Sequence, residues 1–431
     1  MSKESNRIVN GWAMYDWANS AYNLVITSTI FPVYYTAMTT SNVSGHFADK
    51  VKVFGITFKS AALYNYALAV AYLVIAFLSP VLSSIADYRG NKKNFLKFFT
   101  YIGGGACAML FFFTKDTVPF GLVMFILGTI GFCGGLVFYN AYLPEIAPMR
   151  ARDKISAKGF AYGYVGSVIL QLICFIFVIG LPFGMDSGMA SRISFLLVGL
   201  WWIGFAQIPF RRLRQSTIPK DKNVNVLTKG FAELKIVWSQ VKKMPVLKNF
   251  LAAFFCYGMG VQTVMLAATL FGSQEMQLST DKLIISILTI QLVAIAGAFL
   301  MARLSKAIGN IQTLMIVVCA WIVICIGAYF TVTEYQFYIL AFSVGLVMGG
   351  IQSLSRSTYS KIMPETRDTT SFFSFYDVTE KIAIVLGMFS FGFIQELTGT
   401  MRSSIIALAV FFSLGFIFLG LTLHKQKIAN R

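Results

Sequence analysis

The chain has 431 residues, 57% of them apolar and only 13% charged, about half the charged share of a soluble domain. The roughly 245 apolar residues are enough for about twelve membrane-crossing segments of about twenty residues each, which excludes a soluble globular protein. Charge is lopsided, 36 Lys and Arg against 18 Asp and Glu for a net +18, but the basic residues sit in short runs between apolar spans. They form no patch on a polar domain, so nucleic acid is excluded as the partner they serve.

Taken in chain order, Lys3 and Arg7 precede an apolar run that imitates a secretory signal. Asp16, Asn19 and Asn23 interrupt it and no small-residue cleavage site follows, so the pattern predicts a first permanent span. Apolar runs then place spans at roughly residues 12 to 37, 60 to 83, 95 to 114, 117 to 140, 158 to 181, 193 to 210, 248 to 271, 283 to 303, 311 to 331, 335 to 357, 371 to 395 and 403 to 424. The expected fold is an all-α membrane protein of twelve transmembrane helices in two six-helix halves, residues 1–210 and 248–431. An even number puts both termini on one side. Loops on that side hold about 28 of the 36 basic residues and the opposite loops about seven, so both termini are expected in the cytoplasm and the chain in the cytoplasmic (inner) membrane.

Residues 211–247 form the longest link. Leu227, Phe231, Leu234, Trp238 and Val241 recur in it at helical spacing with lysines between them, the pattern of an amphipathic helix resting on an anionic leaflet. A regulatory or partner-binding role is the alternative. The halves echo each other: Gly90-Asn91 follows span 2 as Gly309-Asn310 follows span 8, at an offset of 219, and Pro148 follows span 4 as Pro364 follows span 10, at an offset of 216. Both offsets are near half the chain length and suggest a duplicated six-span unit, a repeat common in transporters.

A charge at the bilayer centre costs about 2.5–3.5 kcal/mol on insertion scales, so those that persist should face a cavity or a partner. Span 1 carries Trp12, Asp16, Asn19 and Asn23 on one helical face, with Asp16 either a proton acceptor or a hydrogen-bonded structural acid. Span 4 ends in Phe138-Tyr139-Asn140-Ala141-Tyr142-Leu143-Pro144-Glu145, and Lys158 opens span 5. Glu145 and Lys158 are expected at one depth on neighbouring helices, as a gating pair or a plain structural salt bridge. In span 10, Gln352, Ser355, Arg356 and Tyr359 share a face behind Gly349-Gly350; Arg356 either clamps a carboxylate with its planar fork or marks the cytoplasmic mouth. Span 11 carries Asp377, Glu380 and Lys381, where Asp377 and Lys381 can pair at i, i+4 and leave Glu380 less compensated. That triad reads as a proton or ammonium site, or as a structural pair.

Elsewhere the chain offers little chemistry. All six cysteines fall in apolar stretches without ligand spacing, which suggests small core residues and no metal or disulfide framework. Phe111 to Phe113 and Met348 read as packing or lipid-facing residues, and His46 and His424 fall at solvated ends. Neither a phosphate-binding loop nor His-Glu-x-x-His is present, so neither an ATP-driven pump nor a metalloprotease is indicated. No cofactor is expected, and no enzymatic activity.

The segment Ser83-Ser84-Ile85-Ala86-Asp87-Tyr88-Arg89-Gly90-Asn91-Lys92-Lys93 resembles the loop signature G-x-L-A-D-R-x-G-R-K of the major facilitator superfamily. Ser83, Tyr88 and Asn91 depart from it, while Asp87, Gly90 and Lys92 keep their places. The resemblance implies that the acid meets a neighbouring helix end and that Arg89 and Lys92 hold a gate. Three further segments, from Gly11 to Tyr22, Tyr139 to Ala147 and Gly349 to Ser357, resemble hallmarks of the unknown major facilitator family, which includes bacterial permeases and a yeast autophagy-related vacuolar amino-acid effluxer. That likeness implies a secondary transporter, with export of an amino acid or a similar small solute as its theme. It adds weight to Asp16, Asn19, Asn140, Glu145, Gln352 and Arg356.

These readings converge on alternating access. Asp16, Asp377 and Glu380 are the expected proton-coupling residues. Trp12, Asn19, Asn23, Asn140, Tyr142, Gln352, Arg356 and Lys381 are expected to bind solute, and Asp87, Arg89, Gly90, Lys92, Glu145 and Lys158 to gate. The expected partners are a small solute, protons and anionic lipid, with the chain acting as a monomer. A passive facilitator and a non-transporting sensor or lipid-handling scaffold are the alternatives.

Overall fold

The computed structural model describes residues 2–43, 46–48, 50–53, 56–215 and 226–429. Span 1 is a broken helix: α1 (Lys3–Ala21) passes through a π-helical stretch (Tyr22–Thr29) into α2 (Ile30–Thr39). Ser28 and Thr29 hydroxyls hydrogen-bond the carbonyls of Asn23 and Leu24, five residues back, which helps satisfy the wider turn. Two small antiparallel hairpins, β1 (Ser41–Val43) with β2 (His46–Ala48) and β3 (Lys50–Val53) with β4 (Ile56–Lys59), lead into span 2. Apolar patterning gave no sign of them.

Spans 2 to 6 are α3 (Ser60–Arg89), α4 (Lys92–Met109), α5 (Val118–Asn140) with the short α6 (Leu143–Ile146), α7 (Arg152–Val178) and α8 (Ser187–Arg212). The link contributes α9 (Val226–Lys243), bent by 103° against α10. Spans 7 to 12 are α10 (Pro245–Leu270), α11 (Thr280–Ile308), α12 (Asn310–Phe330), α13 (Glu334–Ile362), α14 (Thr369–Thr398) and α15 (Met401–Ala429). Most of these helices overrun the apolar runs by a few residues, because their polar ends stand beyond the hydrocarbon.

Among the described residues nine helices are long and apolar enough to cross a membrane, and α10 passes together with α9. The two remaining spans are α1–α2, which carries Asp16, Asn19 and Asn23, and α14, which carries Asp377, Glu380 and Lys381. Buried side chains form one cluster largely from residues 9–213 and a second largely from 237–419. The clusters meet where α3 packs on α14 and where α7 packs on α11 and α13.

Two expectations need correction. Helix α9 does not simply rest on a leaflet: Val237 and Val241 are buried, Trp238 stacks on Phe375 at 6.0 Å, and the helix packs on α3 and α14. The side chains of Leu227, Phe231 and Leu234 lie outside the described residues. Cys319 is exposed and Cys256 half-buried, whereas the other four cysteines are core residues.

Candidate functional site

A cavity of about 170 Å³ lies between the two halves, walled by α1, α3, α5, α7, α10, α11, α13 and α14. It is small against the 300–1,000 Å³ typical of drug-sized ligand sites. A second cavity of about 60 Å³ shares Asn23, Leu24, Met265, Gln291 and Met348 with it and runs toward Leu283 and Phe337, near the starts of α11 and α13. That end is called the far side below, and the side holding α9 the link side.

Arg356 and Asp16 close the floor. The Arg356 Nη1 donates to Asp16 Oδ2 and to Asn140 Oδ1, both at 3.2 Å, while Nε and Nη2 donate at 2.9 Å to the Ser156 hydroxyl and carbonyl. Tyr139 donates its hydroxyl to the same Asp16 oxygen at 2.7 Å. The guanidinium lies over Phe160 (4.2 Å), Trp12 (4.8 Å) and Tyr139 (5.4 Å), an aromatic cage that stabilises a desolvated cation. Only glycine fits beside it, because a Cβ on Gly159 would stand 2.6 Å from Asp16 Oδ2 and 2.9 Å from Arg356 Nη2. Asp16 and Arg356 are 4% and 2% exposed, so this is a buried ion pair between the two halves.

On the opposite wall Lys381 bonds Glu380 at 2.8 Å and Asp377 at 3.2 Å, and Gln262 donates to Glu380 at 3.2 Å. Asp377 is buried behind the lysine, whereas the Glu380 side chain keeps 22% exposure at the cavity. With every group ionised, Asp16, Asp377 and Glu380 against Arg356 and Lys381 leave one negative charge uncompensated.

The link side is tied shut. Asp87 at the end of α3 accepts from the backbone N–H groups of Thr370 (3.2 Å) and Ser371 (2.7 Å) and from the Ser371 hydroxyl (2.9 Å), so it caps the positive N-terminal end of α14. Gly90 adopts φ +64 there and turns the chain into α4. Lys92 pairs with Glu145, and both bond the Thr369 hydroxyl. On the second seam Asp153 receives Lys361 (2.5 Å), Asn310 (2.8 Å) and Ser305 (3.0 Å), while Arg152 reaches the Ser360 carbonyl. Among the described residues, hydrogen bonds between the halves lie on the link side of the cavity or in its wall. The far-side ion pairs, Lys282–Glu334 and Arg402–Glu275, join helices of the second half to each other.

The structure therefore brings Asp16, Asn19, Asn23, Asn140, Gln352, Arg356, Glu380 and Lys381 together around one cavity. Trp12 lies beneath Arg356 and Asp377 behind Lys381. Asp87, Gly90, Lys92 and Glu145 meet at one seam. Three expectations fail. Glu145 and Lys158 do not pair, since Lys158 stands almost two turns into α7 and donates to Asn10 at 2.5 Å. Tyr142 is absent from the cavity wall; its ring lies under Lys92 at 4.9 Å and its hydroxyl donates to the Arg214 carbonyl. Arg89 points outward and is exposed.

Residues not singled out by sequence complete both regions. Tyr72, Tyr164, Tyr257, Gln262, Gln291, Met265 and Met348 line the cavity, and Arg152, Asp153 and Lys361 hold the second seam. Gln262 and Gln291 carried the one available signal, a polar amide within an otherwise apolar run. Met348, read as a packing residue, is a wall of the cavity.

A family model described as vacuole effluxer Atg22 like matches residues 4–430. The MFS-type transporter YxiO of Bacillus subtilis (strain 168) is 31% identical over 426 residues, covering 97% of this chain and 96% of that protein. Autophagy-related protein 22 of Eremothecium gossypii is 26% identical over 461 residues, covering 94% and 89%. Among solved structures, the human organic anion transporter MFSD10 superposes with a TM-score of 0.72 at 12% identity, covering 97% of this chain and all of that one. The E. coli fucose:proton symporter FucP superposes with a TM-score of 0.68 at 13% identity, covering 97% and 98%. At such identities these two establish the fold alone, which is the twelve-helix major facilitator fold.

Proposed function

The chain belongs to the vacuole effluxer Atg22-like family of major facilitator transporters, and from that premise we propose that it exports an amino acid or a similar zwitterion in exchange for a proton. The observation that carries this reading is the charge inventory of the cavity. Arg356, Lys381, Asp16 and Glu380 line it and Asp377 stands behind Lys381, and a single proton would balance the one carboxylate left over.

Arg356 offers the planar fork that suits a solute carboxylate. In the closed floor Asp16 occupies that fork, so solute and Asp16 compete for one cation. In the link-open state a solute carboxylate holds Arg356, and the return of Asp16 to that fork as the link side closes displaces the solute toward the far side. Glu380, the carboxylate most open to the cavity, carries the proton, and Lys381 bonds it at 2.8 Å. In the proposed cycle residues 1–210 and 248–431 rock as two bodies, and the Asp87, Lys92–Glu145 and Asp153–Lys361 contacts re-form when the far side opens. With the basic link side in the cytoplasm, a solute taken from the link side leaves at the far side.

Purified protein in liposomes, offered the twenty labelled L-amino acids with and without a pH gradient, tests the reading. Gradient-driven flux of at least one of them, lost in Glu380→Gln, is expected. Flux that ignores the gradient and survives that substitution would instead identify a passive facilitator, and an absence of flux for the whole panel would sink the proposal.

A further inference from the structure

Polar groups in the cavity wall are mostly satisfied by one another: Tyr164 donates to Gln352 at 2.7 Å, Tyr257 bonds Ser355 at 2.8 Å, and Gln262 serves Glu380. Asn19 and Gln291 differ. Asn19 is wholly buried, yet neither its Nδ2 nor its Oδ1 has a protein partner, and the buried Oε1 of Gln291 likewise has none. Of all wall residues, these two alone hold such atoms among the described residues. An unpaired buried polar group costs about 1–3 kcal/mol, so native structures keep few of them and each calls for a reason.

The chemistry of the three atoms is specific. Two are acceptors, on α1 of the first half and α11 of the second, and one is a donor. Asn19 stands three residues beyond Asp16, an axial rise of about 4.5 Å from the Arg356 floor toward the far side. Resting on the zwitterion reading above, we infer that Asn19 and Gln291 form the ammonium subsite: the solute –NH3+, which has donors and no acceptor, donates to Asn19 Oδ1 and Gln291 Oε1, while Asn19 Nδ2 donates to the solute carboxylate that Arg356 also holds. Because Gln291 also lines the second cavity, a solute bound this way joins α1 to α11 across the mouth of the site and is released when the far side parts. Glu380 is then left free for the proton.

Removing an orphaned amide should relieve the solute-free protein, whereas removing a structural hydrogen bond should weaken it. The near-isosteric Asn19→Leu and Gln291→Met variants would be compared with the wild type by thermal unfolding in detergent, with each L-amino acid and with the matching α-hydroxy acid, which lacks the ammonium. In the wild type the effective amino acid raises Tm and its hydroxy acid does not. Each variant should match or exceed the wild-type Tm without solute, bind that amino acid about tenfold or more weakly, and lose the preference over the hydroxy acid. A variant that is less stable without solute, or that keeps the wild-type preference, overturns the ammonium subsite. A wild type that responds to no amino acid fails earlier, at the zwitterion reading itself.

Discussion

Asp16→Asn removes a charge but keeps the shape of its side chain, and the consequence follows from what surrounds Arg356. The guanidinium is 2% exposed and has four acceptors in reach, of which Asn140 Oδ1, Ser156 Oγ and the Ser156 carbonyl are neutral and Asp16 alone is charged. Breaking one partner of a buried pair costs about 3–5 kcal/mol because the other charge remains. The retained amide oxygen and the three rings over the cation offset part of this, so the low end, about 3 kcal/mol, is the working value. Since Asp16 and Arg356 sit on different halves, that energy belongs to the link-closed conformation, and about 3 kcal/mol shifts a two-state equilibrium by roughly 150-fold. A cysteine at Ser360, buried in the link-side seam, reports it: maleimide labelling of Ser360→Cys should accelerate by about two orders of magnitude when Asp16→Asn is added. Arg356→Met should act in the same direction, and the double variant should label more slowly than the sum of the two effects implies. An unchanged labelling rate in Asp16→Asn would refute the assignment of this pair as a floor between the halves.

The remaining predictions concern the cage, the seams and the link. Gly159→Ala places a methyl 2.6 Å from Asp16 Oδ2, and should lower Tm by an amount corresponding to about 1–3 kcal/mol and reduce flux, both measured on purified protein. Asp153→Asn weakens a seam in which three donors converge on one carboxylate, so labelling of Ser360→Cys should rise, yet less than for Asp16→Asn because Lys361 keeps 20% exposure. Gly297→Ala would drive a Cβ to 2.0 Å from the Leu346 carbonyl and part α11 from α13; a large fall in Tm and in yield of monodisperse protein is expected. Trp238→Ala removes the stack of α9 on Phe375 and should speed link-side labelling modestly while leaving solute affinity unchanged.

Twelve spans were legible because apolar runs of bilayer length have few alternative readings, and the acids inside two of them were legible because a charge is expensive there. Pairing was less so. Sequence spacing brings Asp377 and Lys381 together within one helix, but whether Glu145 meets Lys158 or Lys92 depends on how far each stands along its own helix, which apolar patterning does not record. The break in α1 was also hidden: a π-helical stretch changes the hydrogen-bond register without changing composition. Tyr72 and Met348 look like ordinary packing residues in sequence, and they become walls of a site only through the arrangement of the two halves.

The offset of 216 residues that relates Pro148 to Pro364 also relates Asn140 to Arg356, Glu145 to Lys361 and Asp153 to Thr369. All six of these residues lie at the floor or at the two seams, so positions related by this offset fall at corresponding points of closure. Their chemistry has diverged. At the first seam the acid is Glu145 and its lysine belongs to the same half, so the bonds across the halves are made by the neutral Thr369 hydroxyl and by the Asp87 cap on α14. At the second the basic residue, Lys361, takes the place of Glu145, the acid stands where the other seam has threonine, and the ion pair itself crosses between halves. At the floor a neutral amide faces a guanidinium. Closure thus rests on ion pairs across the halves at the floor and the second seam and on none at the first, and the ionic tie at the floor, between Asp16 and Arg356, borders the cavity. A solute carboxylate can compete there and at neither seam, which is why coupling between binding and opening is expected to run through Arg356.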